Sequence, residues 1–351
     1  MKAILLAGGK GTRLRPLTIH TPKPIVPIFS RPFLHYQLDL LKAVPEIDQV
    51  VLSLNYQPRR IEDIFGDGSE IGLGIQYVVE PEPLGTAGAV RYAGESLTES
   101  VVVFNGDVLT AIDLQAVIAL HRERKAKATI VLTPVENPTA YGLVETDADG
   151  NIRRFVEKPK ADEITCDTIN AGIYILEPDT FDRIPRNTPW SIERSFFPSL
   201  IERHETFVAY TYRGYWIDIG TPEKYMQVHR DIMDRRFLTK PFADCQSGRF
   251  ISAQAKIEDG VTFDGPCFVD EGATVKAGAR LGPYSVVGRQ CWVEEHAQID
   301  HSILWPNSRV SQEAIVRQSI LGRHCHVGRS ALVEGGAVLG DKSVVTDFSR
   351  L

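Results

Sequence analysis

Residues 2–24 read KAILLAGGKGTRLRPLTIHTPKP, and the first half of the fold follows from this stretch. Ala3-Ile4-Leu5-Leu6-Ala7 has no polar alternation and stops at two glycines, the pattern of a strand buried on both faces. Gly8, Gly9 and Gly11 lack a Cβ, so their backbone N–H groups can close on an anion, and Lys10, Arg13 and Arg15 add fixed positive charge. Lys23, between Pro22 and Pro24, is a further cation on a stiffened segment. A P-loop is excluded because Gly11 is followed by Thr12-Arg13 and not by Lys-Ser/Thr. A dinucleotide fingerprint is excluded because Leu14 stands where the third glycine belongs, which disfavours a dinucleotide-dependent oxidoreductase.

Downstream, apolar runs at 50–54, 75–79, 101–104 and 129–135 alternate with helical patterns at 33–42, 86–96 and 113–125, Asp113 serving as an N-cap. This alternation predicts a parallel sheet with crossover helices, a three-layer α/β domain whose ligands gather beyond the carboxyl ends of its strands. The run at 101–104 delivers Asn105-Gly106-Asp107 at the end where the first strand delivers its glycine loop. Far along the chain, Gly214-Tyr215-Trp216-Ile217-Asp218-Ile219-Gly220-Thr221-Pro222 sets one acid in an apolar strand before a Thr-Pro helix start. A buried acid needs a partner or a metal, and two separated aspartates with substrate phosphates are a usual way of holding Mg2+. Residues 141–147 and 152–159 read as a hairpin around Asp149-Gly150, presenting Glu157 for sugar hydroxyls and Lys158 for a phosphate.

In order along the chain, the first glycine loop with Pro22-Lys23-Pro24, Tyr141-Gly142, Val156-Glu157-Lys158-Pro159, Asn170-Ala171-Gly172-Ile173-Tyr174 and the segment 214–222 resemble the motifs of the sugar-1-phosphate nucleotidyltransferases. The resemblance covers residues 1–237. It implies a Rossmann-like catalytic domain that joins a nucleoside triphosphate to a sugar-1-phosphate and releases pyrophosphate. It also implies Asp107 and Asp218 as Mg2+ ligands, with Arg13 and Lys23 as catalytic cations. Substrate contacts are implied for Leu6, Gly8, Gly9, Gly11, Thr12, Gly85, Thr86, Gly106, Gly142, Glu157, Lys158, Asn170 and Gly172, with the turn Glu80–Gly88 lying along the base. Leu84–Gly88 and Ser191-Ile192-Glu193 are most similar to the branch that uses GTP and mannose-1-phosphate. The neighbouring branches use dTTP or UTP with glucose-1-phosphate. Regulatory homologues without catalysis carry an insertion in the first glycine loop, and this loop has none.

From Ile257 a different rule takes over, with apolar residues every six positions at Ile257, Phe263, Val269, Val275, Leu281, Val287, Val293 and Ile299. The register slips and resumes at Leu321, Val327, Val333 and Leu339. This is the hexapeptide pattern of a left-handed parallel β-helix, expected over 251–351 after a linker at 238–250. Cys267, Cys291 and Cys325 fall on the small inward position and read as core atoms. Acyl transfer, another use of such helices, needs a histidine base, and His296, His301, His324 and His326 fit surface positions better. Flat solenoid faces suit pairing with a second copy, so a homo-oligomer is expected, as is some residual activity in a chain cut near residue 245.

Over 351 residues, 43% are hydrophobic and 24% charged, and the formal charge of −6 argues against a nucleic-acid or acidic membrane partner. Five cysteines without paired spacing, no secretory leader and no membrane-length apolar run fit a cytoplasmic protein.

Overall fold

The structure, a computed structural model, describes residues 1–245 and 248–351; Gln246 and Ser247 of the expected linker lie outside the described residues. The chain packs as two compact units, Met1–Lys10 with Leu34–Asp218, and Gly11–Phe33 with Ile219–Leu351.

In the first unit, β1 (Lys2–Leu6), α1 (Leu34–Lys42), β2 (Gln49–Leu54), α2 (Pro58–Phe65), β3 (Gly74–Val79), α3 (Gly85–Ala93) and β4 (Val101–Asn105) follow the expected alternation, with α2 added. There follow β5 (Val108–Thr110), α4 (Leu114–Glu123), β6 (Ala128–Pro134), β7 (Gly142–Thr146), β8 (Ile152–Glu157), β9 (Thr168–Leu176), α5 (Phe197–Glu202), β10 (Phe207–Thr211) and β11 (Trp216–Asp218). Asp113 caps α4 as its sequence predicts, accepting from the N–H groups of Gln115 and Ala116 at 3.0 and 3.3 Å.

The main sheet runs β8-β7-β9-β4-β1-β2-β3, with β6 on β9 and β10 on β6. Strands β1 to β4 are parallel to one another, as expected. The sheet as a whole is mixed, because β9 runs antiparallel to both β4 and β6. The reason is local: between β7, β8 and β9 there is no α-helix, only a single 3-10 turn at Ala161–Glu163, and strands joined by short connections cannot cross over to become parallel. Ile4, Val103, Ile130, Tyr174, Phe196 and Leu200 lie in the buried core of this unit.

The second unit contains the β-helix, whose two- and three-residue strands form three parallel sheets. Val269, Val287, Leu304, Leu321 and Leu339 stack in register, and so do Val275, Val293, Val310, Val327 and Val345. The register slip in the sequence is thereby explained: the steps from Ile299 to Leu304 and from Val316 to Leu321 are each one residue short, and stacking continues through both. Cys267, Cys291 and Cys325 are buried as expected, and burial pushes the Cys291 thiol up to about 12, so these are not thiolate centres.

Outward positions on two of the three sheets are mostly polar or exposed, for example Arg280 and Arg309. On the first sheet they are Phe268, Val286, Ile303 and Ile320, all buried. The cover comes from the same unit. Phe29, in the turn between the short strands Pro27–Ile28 and Arg31–Pro32, lies with its ring 4.8 Å from that of Phe268. Phe242 joins them at 5.1 Å from Phe29, and α6 (Pro222–Met233), capped by Thr221, contributes Tyr225 and His229.

Candidate active site

The parallel register sets Leu6 of β1 beside Asn105 of β4, so the glycine loop and the Gly106-Asp107 turn leave the sheet side by side. Gly106 makes this proximity possible: its N–H donates to Leu6 O at 2.9 Å, and a Cβ there would lie 2.4 Å from that same oxygen. Gly9 is different in kind. A Cβ on Gly9 would meet nothing within 4 Å, so protein packing does not demand glycine, and the bare backbone is left open to an incoming group.

Strand β11 pairs antiparallel with β5, placing Asp218 opposite Val108. Residues directly opposite in such a ribbon have Cα atoms about 5 Å apart, so the backbone of Asp107, one residue earlier, lies close to that of Asp218. The ribbon is held there by Thr110 Oγ1 donating to Tyr215 O at 2.9 Å and by Trp216 Nε1 donating to Ala171 O at 2.9 Å. Tyr141 donates its hydroxyl to Asp218 Oδ1 at 3.0 Å and packs edge-on to Trp216. Beneath the Asp107 turn, the buried amide of Gln37 on α1 donates to both Asn105 O (2.9 Å) and Val108 O (2.8 Å).

At the neighbouring strand ends, Asn170 Oδ1 accepts from Gly172 N–H at 2.8 Å, holding the irregular start of β9 against the Asn105 side chain. Glu157, half-buried at the end of β8, has its carboxyl pushed up by burial first and by the negative charge of Glu193 second. Lys158 follows it in the left-handed region at φ 53, uncommon for a residue with a Cβ and found most often at functional positions. Glu193 is fixed by hydroxyl donors from Thr86 (3.0 Å) and Ser191 (2.8 Å), so the Thr86 side chain orients a carboxylate. At the end of β3, the buried Glu80 accepts from Ser53 Oγ (3.0 Å) and Leu84 N–H (2.9 Å), and a Cβ on Gly8 would come within 3.3 Å of it.

The first unit holds Leu6, Gly8, Gly9, Gly85, Thr86, Gly106, Asp107, Gly142, Glu157, Lys158, Asn170, Gly172 and Asp218, most at strand ends or in the turns leaving them, with Gly85 and Thr86 opening α3 and Asn170 and Gly172 within β9. Gly11, Thr12, Arg13 and Lys23 belong to the second unit, where Thr12–Leu14 and Lys23–Ile25 each form a single 3-10 turn. Arg13 is exposed, and Thr18 Oγ1 donates to Gly11 O at 2.8 Å. Sequence reasoning singles out the segments holding Glu80, Tyr141 and Glu193 without giving those side chains a role, and does not single out Gln37 at all. Glu80 and Glu193 carried a signal, each being an acid beside a helix-start turn, whereas Gln37 has none outside the folded chain.

A glycine loop leaving β1, Asp107 beside the Val108–Asp218 pair, and polar residues on neighbouring strands of a mixed α/β sheet suit the handling of phosphates. The Nucleotidyl transferase family model matches residues 2–235, and this chain belongs to that family. A GMPPB C-terminal domain model matches residues 263–350, within the β-helix. The chain is 35% identical to mannose-1-phosphate guanylyltransferase 1 of Arabidopsis thaliana, covering 99% of this chain and 93% of that protein. It is 32% identical to the UTP–glucose-1-phosphate uridylyltransferase of Synechocystis sp., covering 93% and 88% of the two chains. The crystal structure of HddC from Yersinia pseudotuberculosis complexed with GMP-PN superposes with a TM-score of 0.55 at 30% identity, covering 64% of this chain and 96% of that one.

Proposed function

We propose that the protein joins GTP and mannose-1-phosphate to give GDP-mannose and pyrophosphate, residues 1–237 supplying the catalytic module. What supports this reading most is the β5–β11 register, which sets Asp218 opposite Val108, the neighbour of Asp107 in the chain, beside the loop that begins at Gly8. The mannose-1-phosphate oxygen attacks the α-phosphorus of GTP, the bond to the β-phosphate bridging oxygen breaks, and pyrophosphate leaves with that electron pair. No covalent enzyme intermediate is needed, so the protein's work is alignment and charge neutralisation.

Two carboxylates at one corner fit Mg2+, which takes one or two carboxylates and completes its shell with phosphate oxygens and water. Asp107 and Asp218 would hold it, and when bound it neutralises charge on the phosphates being exchanged. Tyr141 keeps Asp218 oriented through its hydroxyl. The glycine-loop N–H groups, Arg13, Lys23 and Lys158 bind phosphate oxygens, while Glu157, Glu193 and Asn170 take the sugar hydroxyls.

Guanine is favoured by the likeness to the mannose-1-phosphate guanylyltransferase of Arabidopsis thaliana over nearly the whole chain, while Glu80, bonded to Ser53 and Leu84 N–H, holds the turn that lies along the base. The uridylyltransferase relative keeps UTP with glucose-1-phosphate as the second reading. Pyrophosphate release from a matrix of triphosphates and hexose-1-phosphates tests both. The highest kcat/KM is expected for GTP with mannose-1-phosphate, and a preference for UTP or dTTP with glucose-1-phosphate overturns the base and sugar assignment while keeping the reaction class. We further propose a cytoplasmic homo-oligomer. No helix among the described residues is long and apolar enough to cross a membrane.

A further inference from the structure

The turn that carries Lys23 is held at both flanks, and both holds trace to one indole of the β-helix. Upstream, the fully buried Thr21 hydroxyl accepts from the Arg323 guanidinium. That guanidinium lies over the Trp305 ring at 5.0 Å and is paired with Asp341, whose other oxygen accepts the Arg323 backbone N–H at 2.8 Å. Downstream, Pro27 O accepts from the Tyr225 hydroxyl, which in turn accepts from Trp305 Nε1–H at 2.9 Å. Phe29 N–H donates to His229 Nε2 at 3.1 Å, and the other ring nitrogen of His229 bonds Tyr225 O at 2.8 Å. Between these anchors lie only Pro22, Lys23, Pro24, Ile25 and Val26, two of them prolines with φ already fixed.

We propose that Trp305, Tyr225 and Arg323 are positioning residues for Lys23, so that the β-helix takes part in the reaction by fixing where this ammonium group stands. The proposal rests on Lys23 being a catalytic cation, as read above. Simple adhesion between the β-helix and the 11–33 segment would require only apolar rings such as Phe29, Phe242 and Phe268, which are already present. A buried indole N–H and phenol cost free energy unless each is satisfied; the phenol and the partly buried Arg323 guanidinium bond Pro27 and Thr21, both within four residues of Lys23, and the indole N–H is satisfied by that same phenol. On this proposal a chain cut near residue 245 keeps Lys23, Tyr225 and His229 but loses Trp305 and Arg323, so its residual turnover should lie well below that of the full chain.

The test uses the full chain with Tyr225→Phe, Trp305→Phe, Lys23→Ala and the double variant Tyr225→Phe/Lys23→Ala. Melting temperature, kcat and KM for both substrates are measured for each. The expected result is a fall in kcat of about tenfold or more for Tyr225→Phe and Trp305→Phe, with nearly unchanged KM, because misplacement by about 1 Å is enough to cost that much. In the Lys23→Ala background, Tyr225→Phe is expected to lower kcat no further. If Lys23→Ala impairs turnover while Tyr225→Phe and Trp305→Phe leave kcat intact, or if the two losses multiply, the positioning role is overturned and the reading of Lys23 stands. If Lys23→Ala turns over normally, the reading of Lys23 fails and the proposal falls with it. Arg323→Leu beside Arg323→Lys separates the direct bond to Thr21 from packing on the indole, with partial rescue of kcat expected in the lysine variant.

Discussion

Replacing Gln37 by methionine removes the two hydrogen bonds that clamp the Asp107 turn while keeping the length and volume of the side chain. Each bond contributes about 1 kcal/mol net, so deleting both costs about 2 kcal/mol. Gln37 Oε1, however, is buried without a hydrogen-bond partner, and removing an unsatisfied polar atom returns about 1 kcal/mol. Stability should therefore fall by only about 1 kcal/mol, the difference of the two. Activity should fall much more, because the turn from Asn105 to Val108 loses its support from α1 and Asp107 shifts relative to Asp218. A kcat loss of about 10- to 100-fold and a raised KM for Mg2+ are expected. Gln37→Glu sharpens the test. Its carboxylate, when ionised, faces two carbonyl oxygens, so activity in that variant should decline further as pH rises from 6 to 8. Steady-state kinetics across Mg2+ concentrations, with urea denaturation on the same samples, gives both quantities. Wild-type kcat and Mg2+ dependence in Gln37→Met would refute the claim that α1 positions the metal corner.

Asp107→Asn and Asp218→Asn should each lower the rate about 100-fold, about 3 kcal/mol of transition-state stabilisation, with the fold retained. Near-normal turnover of either variant at low Mg2+ would remove that residue from the metal site. The buried His229 has its pKa pushed down to about 4, by burial against a smaller opposing effect of its bond to Tyr225 O. In the unfolded chain it titrates near 6.5, so its contribution to stability is complete above about pH 6.5 and is lost as pH falls through 4, about 3 kcal/mol in all. Comparing wild type with His229→Gln by denaturation between pH 4 and 7 isolates that slope, and identical slopes would mean that His229 is not held neutral.

Much of this was legible in the chain because the signals were periodic or contiguous. The apolar run 3–7 ending in glycines, the Asp113 cap and the six-residue repeat each depend on neighbours in sequence. The hairpin at 141–159 is legible from its Asp149-Gly150 turn, but the direction in which β9 enters the sheet is not, because it is set by pairing with β4 and β6, strands distant in sequence. Gln37, and the bond that Tyr141 makes to Asp218, were illegible because their meaning lies in partners about 70 positions away. The grouping of residues 11–33 with the β-helix depends on even longer separations, Thr21 to Arg323 among them. One trace of it was present: Phe268, Val286, Ile303 and Ile320 are apolar where a solvent-facing solenoid sheet would be polar.

The central claim is tested most directly by incubating the protein with α-32P-labelled GTP, mannose-1-phosphate and Mg2+ and resolving the products. The account predicts that the label moves into GDP-mannose, with one pyrophosphate released for each molecule formed and none of the label left on the protein. Label recovered as GMP or GDP without a sugar, or no turnover of this pair while another base and sugar are joined readily, would contradict it.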